Sequence, residues 1–247
     1  MGQQLAFLVS RVDARLCFFL ASCHRAWDAP YIAGITVMEF LSDCTLELSL
    51  IQLKTQGLSN LRPVTTIMNI VYFDLETQKT ANDVGGWDKK RDMGMSIGVT
   101  YSTELDEYRI YPEKRVDDLV QQLLRADLVV GFNIINFDYE VLMGYTILDL
   151  PHQLRTFDML VEVEKMARIK PKLDNIALTT LGVGKTAGGV DAIKWWREKQ
   201  VMDIAEYCCF DVKVTKLVHE HGVGYRELFY TDKFNRKQRI EIDWCIG

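Results

Sequence analysis

A chain of 247 residues with 48% hydrophobic and 26% charged residues has enough apolar material for a sizeable core, which excludes a disordered or low-complexity protein. Its formal net charge of -5 excludes a protein that coats duplex nucleic acid through many phosphate contacts.

Residues 1–67 show no clear hydrophobic period, hold three of the six cysteines (Cys17, Cys23 and Cys44) and contain one lysine. The apolar run in RLCFFLASCHR is too short and too interrupted for a membrane span, and no signal-peptide cleavage pattern follows it. YIAGITVMEFLSDCTLELSLIQL suits a small helical appendage, and an upstream segment belonging to no folded unit is the other reading. Cys208, Cys209 and Cys245 complete the set without any CxxC pair, so free thiols in a reducing cytoplasm are expected.

The text changes at Met68, and residues 68–247 read as the catalytic domain, with 1–67 as an extension. Strands are predicted at 68–75, 95–102, 107–111, 127–132 and 154–157, the first three as an antiparallel meander. Helices are predicted at 114–125, 137–147, 158–167, 173–181 and 201–221, the last closed by Gly222 as a C-cap. VGYRELFY and KQRIEIDW form a terminal hairpin. This order predicts an α/β domain with a mixed central sheet flanked by helices.

Three clusters of acids interrupt these elements. In VYFDLET, the two-residue period places Asp74 and Glu76 on one face of a strand, where their charges repel unless a cation sits between them. Mg²⁺ suits such hard oxygen donors. A lone Asp-x-Glu is ordinarily a strand end with solvated acids. In GFNIINFDYEVL, Asn136 is a plausible N-cap and Asp138 falls in the first helical turn, which alone would be a dipole-favoured acid. Tyr207 and Asp211 stand four apart on a helix that also carries Ile204, Val212 and Leu217, so they share a face.

Taken in order, the three clusters resemble the DEDD superfamily of 3′-to-5′ exonucleases, with its DnaQ-like, ribonuclease-H-like fold. The motifs are Asp-x-Glu at Asp74 and Glu76, Phe-Asp at Phe137 and Asp138, and Tyr-x-x-x-Asp at Tyr207 and Asp211. The tyrosine branch (DEDDy) is indicated, because the histidine branch would have His where Glu206 stands. GFNIINFD and YCCFD are similar to the proofreading domain of family B DNA polymerases, while KLDNIALTTLGVGK and IEIDW look more like the YprB-like members. The resemblance implies that Asp74, Glu76 and Asp211 hold one Mg²⁺ or Mn²⁺, that Asp74 bridges to a second supported by Asp138, and that Tyr207 orients the attacking water. The implied substrate is a single-stranded DNA or RNA 3′ end, and the product is a nucleoside 5′-monophosphate. Thr77 through its backbone, and Asn133 and Phe137 through sugar or base, are candidate substrate contacts. Two other readings stand beside it: a catalytically silent nucleic-acid-binding or scaffolding module, and a proofreading or processing partner of a polymerase or helicase.

Three lookalikes carry less. LTTLGVGKTAGG contains GKT, but Thr179 stands where a phosphate-cradling loop needs its first glycine, which leaves Lys185 only as a candidate phosphate contact. His219 and His221 are expected near a helix C-terminus as dipole partners. Trp195 and Trp196 are expected to pack.

If the folded unit begins at Met68, a chain starting there should melt as cooperatively as the full chain and keep its rate within a few-fold. Melting temperature, solubility and rate of the two forms check this. Aggregation of the shorter one would mean that Leu41, Leu50 and Leu53 cover an apolar face of the domain.

Overall fold

The computed structural model describes residues 68–184 and 189–244. The expectations for residues 1–67, Lys185 and Cys245 lie outside these. Among the described residues, no helix is long and apolar enough to cross a membrane.

Five strands make the central sheet in the order β3-β2-β1-β4-β5: β1 (Ile70–Thr77), β2 (Met95–Ser102), β3 (Glu107–Pro112), β4 (Leu128–Gly131) and β5 (Thr156–Asp158). The first three are antiparallel, as the predicted meander requires, and β4 and β5 run parallel to β1. Eight α-helices accompany the strands among the described residues: α1 (Ala81–Val84), α2 (Val116–Leu124), α3 (Asp138–Leu142), α4 (Leu150–Gln153), α5 (Met159–Ala167), α6 (Leu173–Leu181), α7 (Gly189–Arg197) and α8 (Val201–Tyr225). A hairpin of β6 (Glu227–Thr231) and β7 (Lys237–Glu241) follows. The described residues therefore form an α/β domain with a mixed sheet flanked by helices.

The alternation of β1 sorts its side chains. Val71, Phe73 and Leu75 join a core with Leu119, Leu123 and Tyr139. Tyr72, Asp74 and Glu76 point the other way, and α8 covers that face: Tyr72 meets His219 at 2.9 Å, and Asp74 meets Cys208. α2 packs because its buried Val116, Leu119, Val120 and Leu123 recur at helical spacing.

Several expectations change. The helix expected over 137–147 ends after Leu142, and Asn136 is exposed and is not its cap: Phe137 holds that place without a side-chain bond. α8 continues through Gly222 to Tyr225 and is closed by Arg226 in the left-handed region, whose N–H donates to the Gly222 carbonyl at 2.9 Å. Gly222 serves packing instead, since a Cβ there would lie 2.4 Å from the Trp244 ring. α7 was not expected as a helix at all, and Trp195 and Trp196 on it are half-buried.

His219 is not a charged dipole partner. It is buried among Tyr72, Phe157 and Trp244, and that burial lowers its pKa from 6.5 to about 4. A histidine that charges less readily when folded contributes stability above its unfolded pKa and loses it as pH falls from 6.5 toward 4. The shift corresponds to roughly 3 kcal/mol. Urea denaturation should therefore show the wild type losing about that much more stability than His219→Gln between pH 7 and pH 4; parallel curves would show that His219 is not the titrating group.

Candidate metal centre

The site begins where a strand stops. β4 pairs with β1 only over Ile70–Tyr72, because the chain turns away after Gly131. That turn is tight: a Cβ at Gly131 would lie 2.3 Å from Ile134 and 3.0 Å from the Phe73 carbonyl. The far half of β1 then lacks a neighbouring strand on this side, yet a buried N–H needs an acceptor. The Asp138 carboxylate supplies one, accepting the Leu75 N–H at 3.1 Å.

A second carboxylate fixes the loop that delivers Asp138. Asp158, at the end of β5, accepts the backbone N–H groups of Asn133 at 2.8 Å and Ile135 at 3.0 Å, and caps α5 through Leu160 at 3.0 Å. Burial raises the Asp158 pKa, and these donors oppose the rise. Asp158 is absent from the residues expected at the site, although an acid between a strand and an apolar helical run is an N-cap signal.

From the other side, α8 brings Asp211 to the acids of β1. Asp74, Glu76 and Asp211 offer carboxylate oxygens within 4.8 Å of one another, with Asp211 buried and the other two half-buried. Carboxylates this close repel unless a cation lies among them. All donors are hard oxygens, so the three fit Mg²⁺ or Mn²⁺. Asp138, 3% exposed, has a pKa raised well above the usual range, first by burial and then by the charge of Asp74.

Tyr207 stands one helical turn before Asp211, is 8% exposed and receives the Trp195 ring edge-on at 5.9 Å. α7 thus backs Tyr207, and Arg197 at its end pairs with Asp83 of α1 at 2.9 Å. The Cys208 thiol, kept protonated by burial and by Asp74, donates to the Asp74 carbonyl at 3.4 Å and to its carboxylate at 3.6 Å. Neither α7 nor Cys208 had been read as part of the site.

Asp74, Glu76, Asp138 and Asp211 line a cleft of 480 Å³, and Tyr207 is not among its lining residues. Thr77, Asn133 and Phe137 line it too, so the expected substrate contacts share the site with the acids. The Thr77 hydroxyl is turned to the Lys79 carbonyl at 3.1 Å, and Asn133 adopts a left-handed backbone. Trp87, not singled out from sequence, also lines the cleft.

Asp138→Asn keeps an acceptor for the Leu75 N–H and removes a charge. Because the folded protein binds the Asp138 proton more tightly than the unfolded chain does, the native carboxylate loses stability as pH rises from the ordinary carboxylate range. The variant should melt several degrees higher than wild type at pH 7.5 in EDTA, with the gain shrinking as pH falls. Asp138→Leu, which strands the N–H, should lose about 1–3 kcal/mol instead. Calorimetric scans of the three proteins check both outcomes.

No curated protein matches the chain. Among solved structures, the fold is similar to part of a family B DNA polymerase from the hyperthermophilic archaeon Pyrobaculum calidifontis, with a TM-score of 0.51 at 12% identity over 64% of this chain. The match spans 25% of that polymerase, so the likeness is one of fold. A family model of the RNase H superfamily matches residues 71–223, more than half of the chain and all three acidic clusters, and the chain belongs to that superfamily.

Proposed function

We propose that this protein is a metal-dependent 3′-to-5′ exonuclease that releases nucleoside 5′-monophosphates from single-stranded DNA or RNA. The observation that carries the reading is the meeting of Asp74 and Glu76 on a strand with Asp211 on a distant helix, their oxygens within 4.8 Å. Tyr207 one turn before Asp211, and Glu206 where the histidine branch has its histidine, favour the tyrosine branch of the DEDD exonucleases. Within that branch, KLDNIALTTLGVGK and the closing IEIDW resemble the YprB-like members. Residues 68–247 are the catalytic unit in this reading. Pairing with a polymerase or helicase would add a source of 3′ ends and is not required for hydrolysis.

Asp74, Glu76 and Asp211 would hold the first of two Mg²⁺ or Mn²⁺ ions, and Asp74 with Asp138 the second. When bound, such a pair would supply a lowered water pKa and charge stabilisation at the leaving oxygen. The side chains do the rest. The Tyr207 hydroxyl orients the attacking water along the line of the scissile bond. Asp138 holds its place through Leu75, so the cleft geometry is set before substrate arrives. Thr77 and Asn133 contact the terminal nucleotide, and Phe137 lies beside them in the cleft.

Degradation of 5′-labelled single-stranded DNA and RNA with Mg²⁺ or Mn²⁺ tests this. A ladder of shortened labelled products, with nucleoside 5′-monophosphates released, is expected. Binding without shortening would favour a silent nucleic-acid-binding module. Asp74→Ala, Glu76→Ala or Asp211→Ala should abolish the ladder at unchanged circular dichroism. Tyr207→Phe should slow it on the order of 10²-fold, the range of an orienting group, with Mn²⁺ affinity by calorimetry unchanged. Parallel loss of metal binding would make Tyr207 structural.

A further inference from the structure

Trp87 opens a 3-10 turn, Trp87–Asp92, between α1 and β2, and its side chain is 67% exposed. Single exposed apolar residues are ordinary on any surface. Trp87 differs by position, because it lines the same cleft as Asp74, Glu76, Asp138 and Asp211. Its turn is fastened rather than loose. Gly85, with φ of 89°, closes α1 through N–H bonds to the Ala81 and Asn82 carbonyls, and the Gly86 N–H donates to Ala81 at 2.8 Å. At the far end Met93 is buried, and Arg91 pairs with Glu140 of α3 at 3.0 Å, two residues from Asp138. A tryptophan held outward by a secured turn keeps its indole exposed without collapse onto the core.

Phe137 stands behind it. The two ring centroids are 6.3 Å apart and tilted by 58°, too close and too inclined to admit a flat group between them. The outer indole face is therefore the available one, and Phe137 braces the ring. On the turn itself Lys89 and Lys90 are offset by Asp88 and Asp92, but Lys79 lines the cleft beside Trp87, which gives an anionic chain a cation to meet there.

We infer that Trp87 is a stacking platform for a nucleobase of the single strand whose phosphodiester lies at the acid cluster, with Phe137 as its brace. This inference rests on the proposed exonuclease reading. It moves Phe137 from direct base contact to support of the residue that makes it. Stacking on an indole accepts any base, so the platform confers grip without sequence preference.

Fluorescence anisotropy of a 5′-labelled oligothymidylate in Ca²⁺ buffer reads binding apart from hydrolysis. Trp87→Ala should weaken binding roughly tenfold, the size of one base-aromatic stack, and Trp87→Phe should recover most of it. An oligomer abasic over its 3′-terminal nucleotides should bind wild type about as weakly as the base-bearing oligomer binds the Ala variant, and should not distinguish wild type from the variant. Equal binding of wild type and Trp87→Ala, an equal loss on both oligomers, or no binding of either oligomer by wild type would overturn the platform. The exonuclease reading fails separately: an oligomer bound through Trp87 yet never shortened with Mg²⁺ or Mn²⁺ removes it and leaves the platform standing. Shortening at an unchanged rate and affinity in Trp87→Ala does the reverse.

Discussion

The geometry of the cleft depends on one hydrogen bond, from the Leu75 N–H to the Asp138 carboxylate. A parallel strand that continued beside β1 would satisfy that N–H itself and would fill the space where the acids now face one another. By ending at Gly131, β4 opens the sheet at its β1 edge, and the chain must return an acceptor to the same place. A carboxylate is an unusual choice for a plain structural acceptor, since burial penalises its charge. It becomes intelligible when the same group also feels the charge of Asp74 and lines the cleft with the three clustered acids, because the position that repairs the ladder is a position on the cleft wall.

The period of β1 then divides labour between two layers. Val71, Phe73 and Leu75 anchor the strand in the core, so Asp74 and Glu76 cannot shift without dragging buried apolar side chains out of register. Their face is closed by α8, which carries Tyr207 and Asp211 near one end and His219 with Gly222 nearer the other. Trp244 lies against Gly222, and Tyr72 against His219, so the helix is seated on the sheet by contacts well away from the acids. Charge repulsion at the cluster is opposed by packing elsewhere on the same rod, which is how a site that would destabilise an isolated helix persists in a folded protein.

What the sequence made legible follows from how local each signal is. The strand of Asp74 and Glu76 and the helix of Tyr207 and Asp211 were readable because residue type and period coincide within a few positions. β2 was placed at its observed bounds, 95–102, for the same reason. Asn136 looked like a cap because it precedes an amphipathic run, but the loop is fixed by Asp158 from another strand, a contact that no local pattern reports. Gly222 looked like a helix end because glycine usually is one, whereas here its missing side chain admits Trp244 from beyond the helix. α7 was not expected because its helical period is carried by few apolar residues behind a glycine-rich turn, and its place is set by Tyr207 and Asp83. Burial of His219 likewise depends on side chains from β1, β5 and the C-terminal segment.

The site therefore joins two kinds of support. Asp74, Glu76, Asp138 and Asp211 are held by a strand, a short helix and a long helix, each tied to the core, which suits groups whose mutual distances decide whether a metal can bind. Trp87 is held by a glycine-bracketed turn whose fixed points are at its edges, which would suit the proposed stacking on bases of different size without changing the distances among the acids. In the exonuclease reading, placing the tolerant contact on a turn and the intolerant ones on regular elements would let one cleft combine indifference to base identity with a demanding geometry at phosphorus. A substitution in the turn and a substitution in β1 should thus be felt in different quantities, grip in the first and chemistry in the second, even though both residues line the same 480 Å³.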